Sequence, residues 1–285
     1  MNLTDYGLSL DGETVRVENE SILRANIANL ARISALDNGE RAAQARYWIR
    51  AAAQALDIVP ASIHDLYLAR GREAFSHAWT TPAFNLRALP FDCACAAFRS
   101  ARKVDAAAII FELARVELGW TNQTLAEYAA DILAAAIAEG SRGALFLQGD
   151  HFQISASLPL KQEKATVENL IAEALAAGYF NIDVDTSTLV DLSKPTVPEQ
   201  QTVNAALSAE LAAHVRRLQP QGVTVSIGGE IGEVGGHVST LEELHAYMNQ
   251  FNERFAPHQP GLSKVSIHTG TAHGGIPLLD GSMVK

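Results

Sequence analysis

From Pro82 onward the chain alternates short apolar runs with longer amphipathic, Ala-rich stretches, and this alternation limits the possible folds more than any other feature. The runs are Ala83 to Leu89, Ala106 to Leu113, Ala144 to Gln148, Tyr179 to Val184, Val223 to Ile227 and Lys264 to Ile267. Helical segments such as Thr121 to Ala138, Glu163 to Ala176 and Val203 to Leu218 lie between them, and another begins at Thr240. Apolar runs of about four to eight residues suit buried strands, and strand followed by helix, repeated, builds a parallel sheet covered by helices.

The ends of the runs separate two versions of that class. A dinucleotide-binding sheet puts a glycine-rich turn after its first strand, and Leu86-Arg87-Ala88-Leu89-Pro90 contains no glycine, which disfavours an NAD-dependent oxidoreductase. Polar residues instead close several runs: Asp150-His151, Asp183 and Asp185, Glu230, and His268 with His273. A TIM (β/α)8-type barrel gathers its site in this way, because all its strand ends open onto one face. The expected organisation is therefore an N-terminal hairpin over 1–19, a helical extension over 20–81 and a barrel over 82–285. The hairpin is read from Gly7 to Val17 about Asp11-Gly12, and the extension from Leu, Ile and Trp48 at helical spacing, broken at Asn38-Gly39 and Pro60.

Composition narrows the partners. The chain has 285 residues, 48% of them hydrophobic, so it can bury a sizeable core. Its 22 basic and 32 acidic residues give 22 − 32 = −10, and no basic run interrupts that balance, so neither nucleic acid nor an anionic membrane is an expected partner. The start is polar and acidic, and no window nears the roughly eighteen apolar residues of a membrane span, so a cytoplasmic protein is expected. Cys93 and Cys95, flanked by alanines, read as packed thiols rather than ligands. His64, His77, His214, His245 and His258 are assigned no role.

Four stretches could carry chemistry. Gln148-Gly149-Asp150-His151 places a carboxylate beside an imidazole at a strand end, where the ring can ligate a metal and the acid can move a proton; a turn with a capping Asp is the plain alternative. Ile267 to Gly275 combines His268 and His273 with glycines whose N–H groups could meet a phosphate. Ile227 to His237 sets five glycines around Glu230 and Glu233 and suggests a loop able to close over a ligand. Asn181 to Ser187 carries Asp183 and Asp185 on one strand face, and one of them could orient a ligating histidine.

Together these segments resemble the class II, metal-dependent ketose-bisphosphate aldolases, in order from Pro82 to the end. Pro82-Ala83-Phe84-Asn85 is similar to the family's first-strand segment, Asp150-His151 to its catalytic aspartate and metal-ligand histidine, and Asp185-Thr186-Ser187 to its Asp-Gly-Ser. Glu230-Ile231-Gly232 with Gly235-Gly236 is similar to its Glu-Leu-Gly-x-x-Gly-Gly, and Gly270-Thr271-Ala272-His273-Gly274 to the segment bearing the next metal ligand. The resemblance implies Zn2+, or else Co2+, Fe2+ or Mn2+, on His151 and His273, with Glu230 near or on the metal. Asp150, Glu230 and Asp185 would be the catalytic carboxylates, and Asn85, Gly270, Thr271 and Gly274 would bind substrate. The implied activity is aldol cleavage of a ketose 1,6-bisphosphate, fructose 1,6-bisphosphate first and tagatose 1,6-bisphosphate next. A non-catalytic sugar-phosphate or metal-binding relative is the alternative.

Three departures from the family stand out. Gln148 occupies a position where the family often has histidine, and His237-Val238-Ser239 follows Gly236 where it has an acidic pair, leaving Glu233 and His237 as substitutes for its second base. The third is length. A barrel of about 250 residues spends roughly 31 on each βα unit. The 285 − 81 = 204 residues from Pro82 onward therefore supply about six units, without the strands that carry the third metal histidine and complete the phosphate site. An incomplete barrel of about six βα units leaves bare strand edges, so a homo-oligomer is expected.

Overall fold

The computed structural model describes every residue except 13, 76–78, 233–237, 271–275, 279–282 and 285. The chain divides into two compact units: Met1–Ile63, Ala69–Asp150 and Glu173–Phe180 in the first, and His64–Leu68, His151–Ala172 and Asn181–Lys285 in the second. The class is α/β, with eight α-helices and seven parallel-pairing strands among the described residues. No described helix is long and apolar enough to cross a membrane.

The first unit opens with the expected hairpin, β1 (Leu8–Asp11) and β2 (Thr14–Val17), paired from Leu8↔Val17 to Asp11↔Thr14. Helix α1 (Glu20–Leu36) starts where the Asn19 carboxamide oxygen accepts from Ile22 N at 3.1 Å, and it buries Leu23, Ile27, Leu30 and Ala31 on one face. Helix α2 (Gly39–Ala55) buries Ala45, Trp48, Ile49 and Ala52. Both pack on α5 (Leu125–Glu139), as does α4 (Pro90–Lys103). Enclosure by three helices explains why α5 is apolar nearly all round and has eleven buried residues.

Strands β4 (Ala83–Asn85), β5 (Ile110–Ala114) and β6 (Gly143–Gln153) pair in parallel, in the registers Asn85↔Glu112 and Glu112↔Gln148. The second apolar run begins as strand only at Ile110, because α4 closes through Ala106 N donating to Ala101 O at 2.9 Å and Asp105 turns left-handed. Of the two thiols, Cys95 is buried on α4 and Cys93 is exposed.

The helical extension expected over 20–81 needs correction, because it contains a strand. After α2 the chain turns at Asp57 (φ 57°), and β3 (Ile58–Pro60) pairs in parallel with Gly143 to Leu145 of β6 before α3 (His64–Gly71) begins. Pro60 lacks an N–H, so the next residue continues the ladder, with Ala61 N donating to Leu145 O at 2.9 Å. Three residues around a proline are too few for a periodic signal, which is why this region reads as helix with a break.

The second unit holds β7 (Asn181–Asp185), β8 (Ser226–Glu230) and β9 (Lys264–Ser266), again in parallel. Helix α6 (Leu160–Ala177) precedes β7, α7 (Val197–Leu218) precedes β8 and α8 (Leu241–Arg254) precedes β9. Thr196 with Glu199 and Thr240 with Glu243 form capping boxes that set the starts of α7 and α8. After β9 the described residues hold only the antiparallel pair β10 (Ile276–Pro277) and β11 (Met283–Val284), so neither unit shows an eight-stranded closure among them.

One residue of α5 conflicts with its surroundings. Asp131 is only 3% exposed, and burial, with Glu127 and Asp92 nearby, raises its pKa to about 8. The folded state then holds a proton that the unfolded chain releases above the ordinary carboxyl range, so stability is full at acid pH and falls as pH rises toward 8. Asp131→Asn removes that penalty. We expect its advantage over wild type in chemical denaturation to grow with pH from 5 to 8, by at most about 1.4 kcal/mol per pH unit. A pH-independent difference would contradict the assignment.

Candidate metal centre

Parallel register builds this site in two layers. Asp183 is level with Gly228, and Gly228 with Lys264; two residues further along, on the same strand faces, come Asp185, Glu230 and Ser266. In the lower layer Lys264 Nζ pairs with Asp183 Oδ2 at 2.9 Å. Only glycine fits between them, since a Cβ on Gly228 would overlap the Asp183 carboxylate and lie 2.9 Å from Lys264 Cε.

The upper layer is the candidate site. Asp185 and Glu230 are 1% and 6% exposed, and the imidazole of His151, near the end of β6, reaches both. His151 Nδ1 lies 3.1 Å from Asp185 Oδ2 and 3.0 Å from Glu230 Oε2. The ring is brought there by a left-handed backbone at His151 (φ 42°), a conformation that costs a side-chain-bearing residue about 1–2 kcal/mol and is retained mainly where function or packing demands it.

The carboxylates are fixed from behind. Asp185 Oδ1 accepts from Ser187 N at 3.0 Å and from Ser187 Oγ at 2.7 Å, and Oδ2 accepts from Gln153 Nε2 at 2.7 Å. The end of β8 is held by α7, where Asn204 Nδ2 donates to Glu230 O at 3.0 Å and Gln201 Nε2 to Ile231 O at 2.7 Å. Burial alone would raise the Asp185 pKa, but hydrogen bonds from His151 and Ser187 outweigh it and hold the carboxyl below its usual range. Burial pushes Glu230 up instead, and the charges of Asp185 and Asp183 add to that against the help of His151. Two neighbouring carboxyls with pKa values driven apart are a mark of a working site.

The ligand atoms of His151, Asp185 and Glu230 all lie within 4.8 Å of one another, and the three could hold a metal ion. The donor chemistry fits a divalent cation. Two buried carboxylates face one imidazole, and a cation between them would offset the burial that raises the pKa of Glu230.

This ligand set differs from the expected one. Asp185, read as a catalytic or orienting residue, offers a ligand atom directly. His273, with Thr271, Gly274, Glu233 and His237, lies outside the described residues. Gly270 is described and has φ 94°, a conformation suited to glycine.

Asp150 and Asn85 belong to the first unit. There Asn85 Nδ2 donates to Asp150 Oδ2 at 2.9 Å and to Glu117 Oε2 at 3.0 Å, so both of its N–H groups are used. Glu117 also pairs with Arg87 and accepts from Ala114 N at 2.9 Å; these donors outweigh burial and lower its pKa. Gln148 Nε2 donates to the buried Glu112.

Sequence reasoning missed Glu112, Glu117, Gln153, Gln201, Asn204 and Lys264. Glu112 interrupts an apolar run, and Gln201 and Asn204 lie one turn apart on the buried face of α7. An uncompensated polar residue on a buried face was the available signal.

No family model matches this chain, and no curated protein matches it. Among solved structures, it is similar to a probable tagatose 6 phosphate kinase from Sinorhizobium meliloti 1021, with a TM-score of 0.46 and 23% identity. The match covers 62% of this chain and 45% of that one, so the chain spans less than half the length of that protein. A similarity this distant carries neither fold nor activity across. The expected aldol cleavage of a ketose 1,6-bisphosphate is corrected on the other comparisons: no family model and no curated relative supports an aldolase, and that reading is withdrawn.

Proposed function

We propose that this protein is a metal-dependent enzyme whose His151, Asp185 and Glu230 hold one divalent cation, with zinc preferred over cobalt, iron or manganese. The observation that carries the reading is the convergence of one imidazole and two buried carboxylates within 4.8 Å. Imidazole with carboxylates suits zinc and its neighbours in the first transition row. Three protein ligands also leave a coordination position open, as a catalytic site requires. A cation so held supplies Lewis acidity to a ligand oxygen or a bound water.

The chain's own residues then have separable tasks. Asp185, kept ionised by Ser187 and His151, anchors the charge. Gln153 fixes the plane of that carboxylate, and Lys264 neutralises Asp183 in the layer below. His151, with 38% of its side chain exposed, stands on the open side where a ligand would arrive. A phosphorylated ketose, bound without aldol cleavage, is the ligand class we put forward on the strength of the sequence motifs alone. We read the parallel strands as an incomplete (β/α)8-type barrel whose strand edges a second copy covers.

Elemental analysis of dialysed, zinc-reconstituted protein should find about one zinc per chain. His151→Ala and Asp185→Asn should each weaken zinc binding at least tenfold, since loss of even an outer-shell partner of a metal ligand typically costs about 10- to 100-fold. Glu230→Gln should weaken it as much while raising the thermal stability of the metal-free protein, because it removes a carboxylate that burial disfavours. Retention of zinc by all three variants, or its absence from wild type, would overturn the reading. Light scattering on the eluting protein should give at least twice the 30.6 kDa of one chain, and a monomer would contradict the covered-edge proposal.

A further inference from the structure

The first unit contains a cavity of about 660 Å³, independent of the metal centre, between α1, α5 and the Arg87 to Asp92 segment that leads into α4. Its size falls within the range of small-molecule sites, about 300–1,000 Å³. The space exists because α1 presents Ala28, Ala31 and Ala35, small residues three and four apart on one side of the helix. Leu36 and Leu89 line it while 73% and 70% exposed, so large apolar side chains stand uncovered at a concave surface.

Asp131 also lines this cavity. It is 3% exposed and, among the described residues, has no ion pair and accepts one long hydrogen bond, from Gln123 Nε2 at 3.5 Å. The same amide nitrogen reaches Glu127 Oε1 at 3.3 Å, so its two N–H groups are divided between two carboxyls, both at long range. Buried carboxyl groups ordinarily find cations or several donors, and this one has neither. The other charged groups at the cavity are Asp92, Glu127, Arg32 and Arg87. Arg87 is committed to Glu117 and lies 5.5 Å over the ring of Trp120, and Arg32 is exposed. Arg46 of α2, whose charge reaches Glu127, donates to Ser34 O at 2.9 Å, and the charges that act on Asp131 are those of Glu127 and Asp92.

We propose that this cavity binds a small organic ammonium ion with an apolar body. The ammonium head docks on Asp131 and Glu127 in place of the stretched Gln123 amide, and the apolar body lies against the α1 alanines, Leu36 and Leu89. An ammonium supplies three donors and a full positive charge where the fold supplies the two distant N–H groups of one neutral amide. The carboxyl of Asp131, protonated in the empty cavity at neutral pH, ionises when the cation arrives, and the proton passes to solvent.

Benzylamine, present as benzylammonium at pH 7, tests this against benzyl alcohol and benzoate, which share its apolar body. Calorimetry in two buffers of different ionisation enthalpy should show saturable binding of benzylammonium with release of up to one proton per ligand. Benzyl alcohol and benzoate should bind at least tenfold more weakly. Asp131→Asn, which keeps the side-chain shape, should bind benzylammonium at least tenfold more weakly and lose the proton release. Ala35→Phe should block binding by filling the cavity with Asp131 intact. Equal binding of the alcohol, preference for benzoate, undiminished binding by either variant, or no saturable binding of benzylammonium would each overturn the proposal.

Discussion

Two carboxylates of like charge, side by side at the buried ends of β7 and β8, are the constraint that organises the second unit. Asp185 and Glu230 cannot both be ionised in such a place without compensation, and the surrounding residues supply it. His151 takes a left-handed backbone to present one ring nitrogen to both. Ser187 and Gln153 occupy the lone pairs of Asp185 that face away from the imidazole. Compensation is uneven, so the pKa of Asp185 is held below its usual range while burial raises that of Glu230. Such a site is polarised before any ligand arrives.

The layers behind the carboxylates follow from the same constraint. Parallel register puts Asp183, Gly228 and Lys264 on one level, and the missing side chain at Gly228 lets the lysine and aspartate meet. That ion pair removes a second uncompensated charge from beneath Glu230. The neighbouring Gly229 admits the hydroxyl of Tyr247, which pairs with Ser208 Oγ of α7 at 2.6 Å. Glycines in β8 therefore act as spacers that let polar groups from both sides approach the strand.

Much of the strand and helix order was legible in the chain. Each of the six apolar runs overlaps a strand, and two of the helices between them start at residues whose capping chemistry can be read directly, Thr196 with Glu199 and Thr240 with Glu243. Strand β3 was not legible, because three residues ending in proline carry no period. At the site, His151, Asp185 and Glu230 were each singled out from their positions at strand ends. His151 and Glu230 were expected on one metal, but the place of Asp185 beside them was not legible, because it depends on a positive φ at His151 and on the register between β7 and β8, neither of which leaves a mark in composition. The function inferred by resemblance fared worst. Short motifs at strand ends report where chemistry is placed, and the same strand-end positions serve many reactions.

The most direct test of this account is a crystal structure of the zinc-loaded protein, with anomalous diffraction recorded at the zinc edge. A single anomalous peak is expected, ligated by His151 Nδ1, Asp185 Oδ2 and Glu230 Oε2, with metal–ligand distances of about 2.0–2.2 Å. A peak ligated elsewhere, or one that leaves Asp185 or Glu230 uncoordinated, would contradict it.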